Sequence, residues 1–136
     1  MTETMNILFV CVENARRSQM AASIFNELAK KKGLKANAIS AGTMPSDKVD
    51  PAVAKVLAEI GIRFKDQRPQ PLTSKMISEA DKIITMGCLS KDVCPSIFID
   101  RTEDWNIEDP KGKSMEKVRE IRDVIKAKVG DLICQL

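Results

Sequence analysis

The distribution of apolar residues along the chain predicts strands that alternate with helices. Short runs rich in apolar or β-branched residues recur, and such runs are typical of buried strands. These predicted strands are Ile7–Val10, Ala36–Ser40, Lys82–Met86 and Ser96–Asp100. Strands that alternate with helices favour a parallel sheet with both faces covered, and ligands in such sheets bind beyond the carboxyl ends of the strands.

The stretches between and after these runs place apolar residues at helical spacing. The predicted helices run from Met20 to Gly33, from Pro51 to Gly61, from Thr73 to Ala80 and from Ser114 toward the C-terminus. Asp50 and Ser114 are residue types that cap helix N-termini. The intervening segment 63–71 contains two prolines and alternating charges, which predicts a surface connection.

The length of 136 residues and an apolar content of 43% suit one compact domain, predicted to span residues 1–136. The 22 basic residues nearly balance the 19 acidic residues, so the composition indicates no nucleic-acid-binding surface. The apolar run near the N-terminus is too short for a signal or membrane-spanning segment. We therefore expect a cytoplasmic monomer that binds no membrane.

The residues after the first predicted strand have the character of an anion-binding loop. Cys11 follows this strand directly, and Arg17 and Ser18 precede a helical pattern. Successive backbone N–H groups at a helix N-terminus converge on one point and carry partial positive charge, so they can hold an oxyanion. The expected oxyanion-binding residues are Val12, Glu13, Asn14, Ala15, Arg16, Arg17 and Ser18.

Cys11 is the candidate nucleophile, because the field of the loop favours its thiolate form. Arg17 carries a planar set of donors that matches two oxygens of a tetrahedral oxyanion. Ser18 can donate a hydrogen bond to the thiolate or to a departing sulfur. A buried cysteine at a strand end, followed by two exposed arginines, is the alternative interpretation of the same spacing.

The remaining cysteines are Cys88, Cys94 and Cys134. Cys88 lies two residues beyond Met86, where a predicted strand ends, so it is expected at the same rim of the sheet as Cys11. Cytoplasmic thiols stay reduced unless they are catalytic or redox-sensing, although unreactive thiols or a structural disulfide remain alternatives for Cys88 and Cys94. Cys134 is expected to be a packing residue or a thiol in a frayed C-terminal turn. Without histidine a zinc site would need cysteines or carboxylates alone, and only Cys88 and Cys94 are near each other in sequence, so we expect no metal site. We expect no cofactor either.

Landmark segments occur in a recognisable order along the whole chain. They are Cys11–Ser18, Arg17–Ala21, Ser40–Gly42, Thr85–Cys88, Cys94–Pro95 and Trp105–Lys113, the last of which contains Asp109-Pro110. Together they resemble the low-molecular-weight protein tyrosine phosphatase superfamily, and within it most closely the thioredoxin-coupled arsenate reductases. This resemblance implies an α/β fold, with a doubly wound sheet of four parallel strands and helices on both faces.

The resemblance also implies that arsenate is reduced by a relay of three cysteines. Cys11 would attack arsenate held by the loop and Arg17, while Asp109 protonates the departing oxygen. Cys88 would then attack Cys11, which releases arsenite and leaves a Cys11–Cys88 disulfide. Cys94 would attack Cys88, and a thioredoxin-like dithiol would reduce the resulting Cys88–Cys94 disulfide, since thiol–disulfide exchange proceeds by successive thiolate attack.

Two other functions stay open at this point. A low-molecular-weight phosphatase would hydrolyse phosphomonoesters through a phosphorylated Cys11. Against it, the chain contains no tyrosine, and Lys111-Gly112 stands where phosphatases of this type tend to carry tyrosines. A non-catalytic oxyanion-binding or redox-sensing module would bind the anion without turnover.

Asp109 precedes a proline, which favours an extended conformation in a loop. A general acid and an ordinary turn residue would both fit this conformation.

A few positions depart from the arsenate reductase pattern. Glu13 stands where the family usually has glycine, and we expect its carboxylate to point outward and pair with Arg16. Arg16 itself replaces a small residue or a second cysteine. Ala22 stands where some of these reductases carry a glutamate that helps to hold potassium, so no potassium site is expected. Trp105, the only tryptophan, either flanks the site or packs in the core.

Overall fold

A computed structural model of the protein describes residues 4–65, 67–87 and 102–136. Its strands are β1 (Met5–Cys11), β2 (Ala36–Gly42), β3 (Lys82–Thr85) and β4 (Thr102–Asp104). Its helices are α1 (Arg17–Lys31), α2 (Pro51–Ala58), α3 (Ser74–Glu79) and α4 (Met115–Cys134). The strands form one parallel sheet in the order β2-β1-β3-β4, which confirms the predicted α/β fold.

The central strand β1 is buried between two layers of helices. Successive side chains of a strand point to opposite faces of the sheet. Ile7, Phe9 and Cys11 accordingly belong to a core formed with α1, α2 and α4, whereas Leu8 and Val10 pack with residues of α3. Helices therefore cover both faces of the sheet, as expected for a doubly wound arrangement.

The strand β4 follows shortly after the last strand predicted along the chain. The predicted strand Ser96–Asp100 lies outside the described residues, and the strand that pairs with β3 among the described residues is Thr102–Asp104. Its sequence Thr-Glu-Asp lacks the apolar residues on which strand prediction depends, and two of its three residues are exposed. Backbone pairing with β3 determines this strand.

An ion-pair cluster joins the C-terminal end of α2 to α4. Glu59 accepts hydrogen bonds from Arg119 Nε at 3.0 Å and from Arg122 Nη1 at 2.6 Å. Arg122 Nη1 also donates to the carbonyl of Val56 at 3.0 Å. The hydrogen bond from Arg119 lowers the pKa of Glu59 below its ordinary value of 4.5, with Arg122 adding to the effect.

Replacing Glu59 with glutamine is expected to lower the free energy of unfolding at neutral pH. Because the pKa of Glu59 is lower in the folded state, its contribution is fully present above pH 4.5 and is lost as the pH falls through the folded value. The difference between the wild type and Glu59→Gln should therefore shrink below pH 4.5 in urea titrations. Glu27→Gln is the matched control, since Glu27 forms no ion pair within the described residues. A constant difference across this range would contradict the assignment.

No helix among the described residues has the length and apolar character that crossing a bilayer requires.

Candidate active site

Cys11 lies at the carboxyl end of the central strand β1, opposite Gly42 of β2. Its side chain is almost fully buried, with 2% exposed. The Sγ atom accepts a hydrogen bond from the backbone N–H of Asn14 at 3.2 Å and lies 2.9 Å from Ser18 Oγ. Both neighbours can donate to a thiolate, so the candidate nucleophile is held between two donors.

The carbonyl groups of the loop are all directed toward the surrounding structure. Those of residues 11–16 accept, in turn, from Thr43 N, Met44 N, Ser46 N, Gln19 Nε2, Asp50 N and Met20 N, at 2.8–3.1 Å. The N–H and C=O of a trans peptide point in opposite directions. The N–H groups that follow these carbonyls therefore turn to the other side, where that of Asn14 meets Cys11 Sγ.

These inward N–H groups form the cradle that an oxyanion requires. Within the described residues, the N–H groups of Val12, Glu13, Ala15 and Arg16 pair with no protein acceptor. Polar hydrogens without a partner are costly to bury, so the loop is preorganised for an anionic acceptor. Oxyanion binding by the loop itself stays a prediction.

The start of α1 adds to this positive field. The helices α2, α3 and α4 begin with side-chain caps from Asp50, Thr73 and Ser114. By contrast, the N-cap residue of α1 is Arg16, which forms no side-chain capping hydrogen bond, and the first turn contains no acidic residue. The partial positive charge at this helix end therefore remains available to an anion.

Asn14 organises the interior of the loop. It is fully buried and has a positive φ of 53°, a conformation that asparagine tolerates better than most residues. Its Nδ2 donates to Ser18 Oγ at 2.7 Å, while its Oδ1 accepts from Gln19 Nε2 at 3.2 Å and from Gln70 N at 3.0 Å. Since Ser18 Oγ accepts from Asn14, its own hydrogen is free to point at Cys11 Sγ.

Sequence reasoning missed the supporting roles of Asn14, Gln19 and Gln70. Gln70 belongs to the segment predicted to be only a surface connection, yet it also accepts from Gly42 N at 2.9 Å and donates to Ser40 O at 2.8 Å. One signal was available, because an asparagine inside a loop is a residue type that adopts positive φ. The contacts of Gln19 and Gln70 leave no comparable pattern in the sequence.

Arg17, predicted to bind the oxyanion, has its guanidinium fixed by backbone groups from two other segments. Its Nη1 donates to Met86 O at 2.9 Å and to Ile107 O at 2.8 Å, and its Nη2 lies 3.6 Å from Asp109 Oδ2. The side chain is 7% exposed. Because Nη1 is occupied by two carbonyl groups, an oxyanion would be bound through Nε and Nη2, which lie on one edge of the guanidinium.

Asp109 and the loop line the same open cleft. The cleft has a volume of about 600 Å³, and its lining residues are Val12, Glu13, Arg17, Gly87 and residues 106–109. The Asp109 side chain is 39% exposed, and its Oδ1 accepts from Lys111 N at 3.0 Å. The structure thus brings Cys11, Arg17 and Asp109 to one rim of the sheet.

The segment that carries Asp109 is anchored on both sides. Backbone hydrogen bonds join Trp105 N to Thr85 O at 2.9 Å and Ile107 N to Met86 O at 3.2 Å. Lys117 of α4 lies 3.2 Å from Glu108, and this hydrogen bond raises the pKa of Lys117. Asp109 is therefore presented from a fixed segment.

The two departures in the loop, Glu13 and Arg16, pair with each other as predicted. Arg16 Nη2 donates to Glu13 Oε2 at 2.7 Å. Arg16 also lies 3.4 Å from both Asp50 and Asp109, so its guanidinium forms ion pairs with three carboxylates. These three carboxylates largely balance the charge of the Arg16 side chain. The predicted role of Arg16 in oxyanion binding therefore depends on its backbone N–H group.

Two of the predicted relay cysteines, Cys88 and Cys94, lie outside the described residues. Gly87, to which Cys88 is bonded, lines the cleft. Cys134 is exposed at the end of α4, which agrees with the alternative of a C-terminal thiol. Trp105 is buried against Phe9, with ring centroids 5.5 Å apart, which confirms a core position. The described residues contain no group of three His, Cys, Asp or Glu placed to hold a metal.

Comparison with known proteins gives consistent similarities over nearly the whole chain. The model of a family described as low molecular weight phosphotyrosine protein phosphatase matches residues 6–136. A glutaredoxin arsenate reductase of Synechocystis sp. is 30% identical over 131 residues, which cover 96% of this chain and 97% of that protein.

Two solved structures illustrate the range of activities among similar proteins. The thioredoxin-dependent arsenate reductase of Corynebacterium glutamicum is 34% identical, with a TM-score of 0.81, and the match covers 98% of this chain and 62% of that one. The low molecular weight protein tyrosine phosphatase of T. tengcongensis is 28% identical, with a TM-score of 0.90, and the match covers 98% and 100%.

Proposed function

The chain belongs to the low-molecular-weight phosphotyrosine protein phosphatase family, and within this family we propose that it is an arsenate reductase. Oxyanion chemistry is supported above all by the backbone of the loop 11–16. Its carbonyl groups all accept hydrogen bonds from residues outside the loop, and its N–H groups turn toward Cys11. The choice of arsenate is supported by relatives of that name at 30% and 34% identity.

In the first step, the Cys11 thiolate attacks arsenic in an arsenate bound by the loop and Arg17. An S–As bond forms, an As–O bond breaks, and Asp109 transfers its proton to the departing oxygen, which leaves as water. Arg17 and Asp109 line the same cleft, with Nη2 3.6 Å from Oδ2, so both can reach one bound oxyanion, and this supports the division of roles. Ser18 donates its hydroxyl hydrogen to Cys11 Sγ.

In the second step, Cys88 attacks Cys11 Sγ. An S–S bond forms while the S–As bond breaks, and its electron pair remains on arsenic, so As(V) becomes As(III) and two thiols are oxidised. Support for this role of Cys88 comes from its bond to Gly87, a residue that lines the cleft beside Arg17. Cys94 then attacks Cys88, which returns Cys11 to its reduced state.

The final step requires an external dithiol that reduces the Cys88–Cys94 disulfide. One similar protein is named for thioredoxin and another for glutaredoxin, so we propose a partner of this small dithiol class. We also propose that the enzyme works in the cytoplasm, where thiols are kept reduced and the relay can be reset.

Phosphomonoester hydrolysis is the second candidate function. The similarity to the T. tengcongensis phosphatase favours it, as does a site in which Cys11, Arg17 and Asp109 would suffice for a phosphocysteine mechanism. Such an enzyme needs no relay. The two candidates therefore differ in their dependence on Cys88 and Cys94.

Separate Cys88→Ser and Cys94→Ser variants should lose arsenate turnover and keep any hydrolysis of aryl phosphates. The reason is that reduction consumes two thiols per turnover, whereas hydrolysis uses only Cys11. Arsenate-dependent oxidation of thioredoxin, with glutaredoxin in a parallel assay, measures the first activity. Release of a chromogenic phenol from its phosphate measures the second.

Cys134→Ser is the matched control, because Cys134 is exposed at the end of α4 and has no part in the proposed relay. Absence of arsenate turnover in the wild type, with hydrolysis that depends only on Cys11, Arg17 and Asp109, would identify a phosphatase. Alkylation of Cys11 without either activity would identify a non-catalytic oxyanion-binding or redox-sensing module.

A further inference from the structure

An ion pair joins the two segments that line the active-site cleft. Glu13 belongs to the loop after β1 and lines the cleft, and Lys111 lies two residues beyond Asp109, which also lines it. Lys111 Nζ lies 3.2 Å from both carboxylate oxygens of Glu13. The pair, which we call the Glu13–Lys111 bridge, connects the loop to the segment that carries Asp109, and both segments line the cleft that a substrate has to enter.

The acidic end of this bridge is held in place. Glu13 Oε2 lies 2.7 Å from Arg16, whose side chain is only 10% exposed and is itself fixed by Asp50 and Asp109, each at 3.4 Å. A side chain with one mobile partner would swing away at little cost. Glu13 has a second, partly buried partner, so its carboxylate stays at the cleft.

We infer that Glu13 and Lys111 determine specificity by admitting a small tetrahedral oxyanion to Cys11 and obstructing a phosphorylated side chain carried on a protein. The inference rests on the proposed function, since it concerns which oxyanions reach the same nucleophile. A free oxyanion is a few ångströms across and can lie beneath the bridge. A phosphoester has a bulky group on the side that faces solvent, where the bridge lies.

Charge acts in the same direction as size. A phosphorylated protein segment that enters the cleft has to separate Lys111 from Glu13, so the free energy of the ion pair opposes its binding, while Glu13 keeps its pairing with Arg16. Lys111 is 62% exposed, so the cost of separating the pair is modest and the bridge acts as a filter with graded strength. Inorganic phosphate and arsenate do not incur this cost.

Binding to a Cys11→Ser background tests the bridge without any turnover. We would measure Kd by calorimetry for inorganic phosphate and for a phosphotyrosyl peptide. Adding Lys111→Gln should lower Kd for the peptide about threefold, the factor that a typical exposed ion pair supplies. Kd for inorganic phosphate should stay within about twofold, because an exposed charge at the rim is well screened.

Lys113→Gln is the matched control, because Lys113 lies two residues further along and contacts no carboxylate within the described residues. It should change neither Kd. A Glu13→Gln/Lys111→Gln double variant should bind the peptide no more tightly than Lys111→Gln alone, since the single substitution already removes the pair.

The outcomes separate this inference from the proposed function. The bridge would be overturned as a filter if phosphate bound but the peptide Kd were unchanged in Lys111→Gln. The same conclusion would follow if the peptide bound neither the parent nor the variant. An equal change in both Kd values would also overturn it, by indicating a general field effect. Absence of phosphate binding in the parent would instead contradict the proposed oxyanion chemistry.

Discussion

Replacing Arg17 with lysine is expected to lower kcat/KM for oxyanion turnover by at least about 100-fold, the usual effect of removing a positioned oxyanion donor. Lysine keeps the charge but lacks the planar fork that contacts two oxygens at once. It also cannot reproduce the two hydrogen bonds from Nη1 to Met86 O and Ile107 O. The loss should therefore appear in kcat as well as in KM.

Steady-state kinetics on arsenate, together with aryl phosphate hydrolysis, checks this expectation. The matched control is Arg119→Lys, which makes the same chemical change on α4, where Arg119 contacts Glu59. Thermal unfolding of both variants establishes that they are folded. If Arg17→Lys retained kcat/KM within about tenfold of the wild type, its guanidinium would not be the principal oxyanion ligand.

Replacing Gly42 with alanine is expected to disturb both stability and the oxyanion loop. An added Cβ would lie 2.6 Å from Val12 O and 3.0 Å from Asn14 Cβ, so backbone atoms of the loop have to move. Val12 O accepts from Met44 N at 2.8 Å, and this is one of the contacts that turn the loop carbonyls outward. We expect a loss of about 1–3 kcal/mol in the free energy of unfolding, as for other overpacked sites.

The effect on the site should accompany the effect on stability. Displacement of Val12 O rotates the peptide whose N–H belongs to Glu13, so the Kd for inorganic phosphate should rise at least about threefold. Gly130→Ala is the control, because a Cβ at that position in α4 meets no atom within 4 Å. It should stabilise the protein by about 0.5–1 kcal/mol, as alanine does in a helix interior. Urea unfolding and calorimetry measure both quantities, and a Gly42→Ala protein that matched the wild type in each would contradict the packing argument.

The site residues that the sequence identified have side chains with distinctive chemistry at distinctive spacing. Cys11 at a strand end, followed by Arg17 and Ser18 at a helix start, is recognisable because each local element imposes its own pattern. The pairing of Glu13 with Arg16 was also predictable, since the two residues lie three apart in one loop. Asp109 was predicted only through its resemblance to a known family.

The supporting residues were not predictable in this way. Gly42 and Gln70 come from segments distant in sequence, and both support the loop through backbone approach and hydrogen bonds to Asn14 or its neighbours. Glycine and glutamine carry no local signal for such contacts. The Glu13–Lys111 bridge joins residues separated by 98 positions, so it exists only because the sheet brings two loops to one rim.

The sequence by itself determined the elements, their order and the nucleophilic loop, because apolar periodicity, capping residues and the Cys11–Arg17 spacing are local properties. The tertiary structure decided where β4 lies, which groups turn the loop amides inward and how Arg17 is anchored. The physical reason is that these features depend on backbone hydrogen bonds and close contacts between distant segments. Such interactions join residues that are far apart along the chain, so no local pattern in the sequence reveals them.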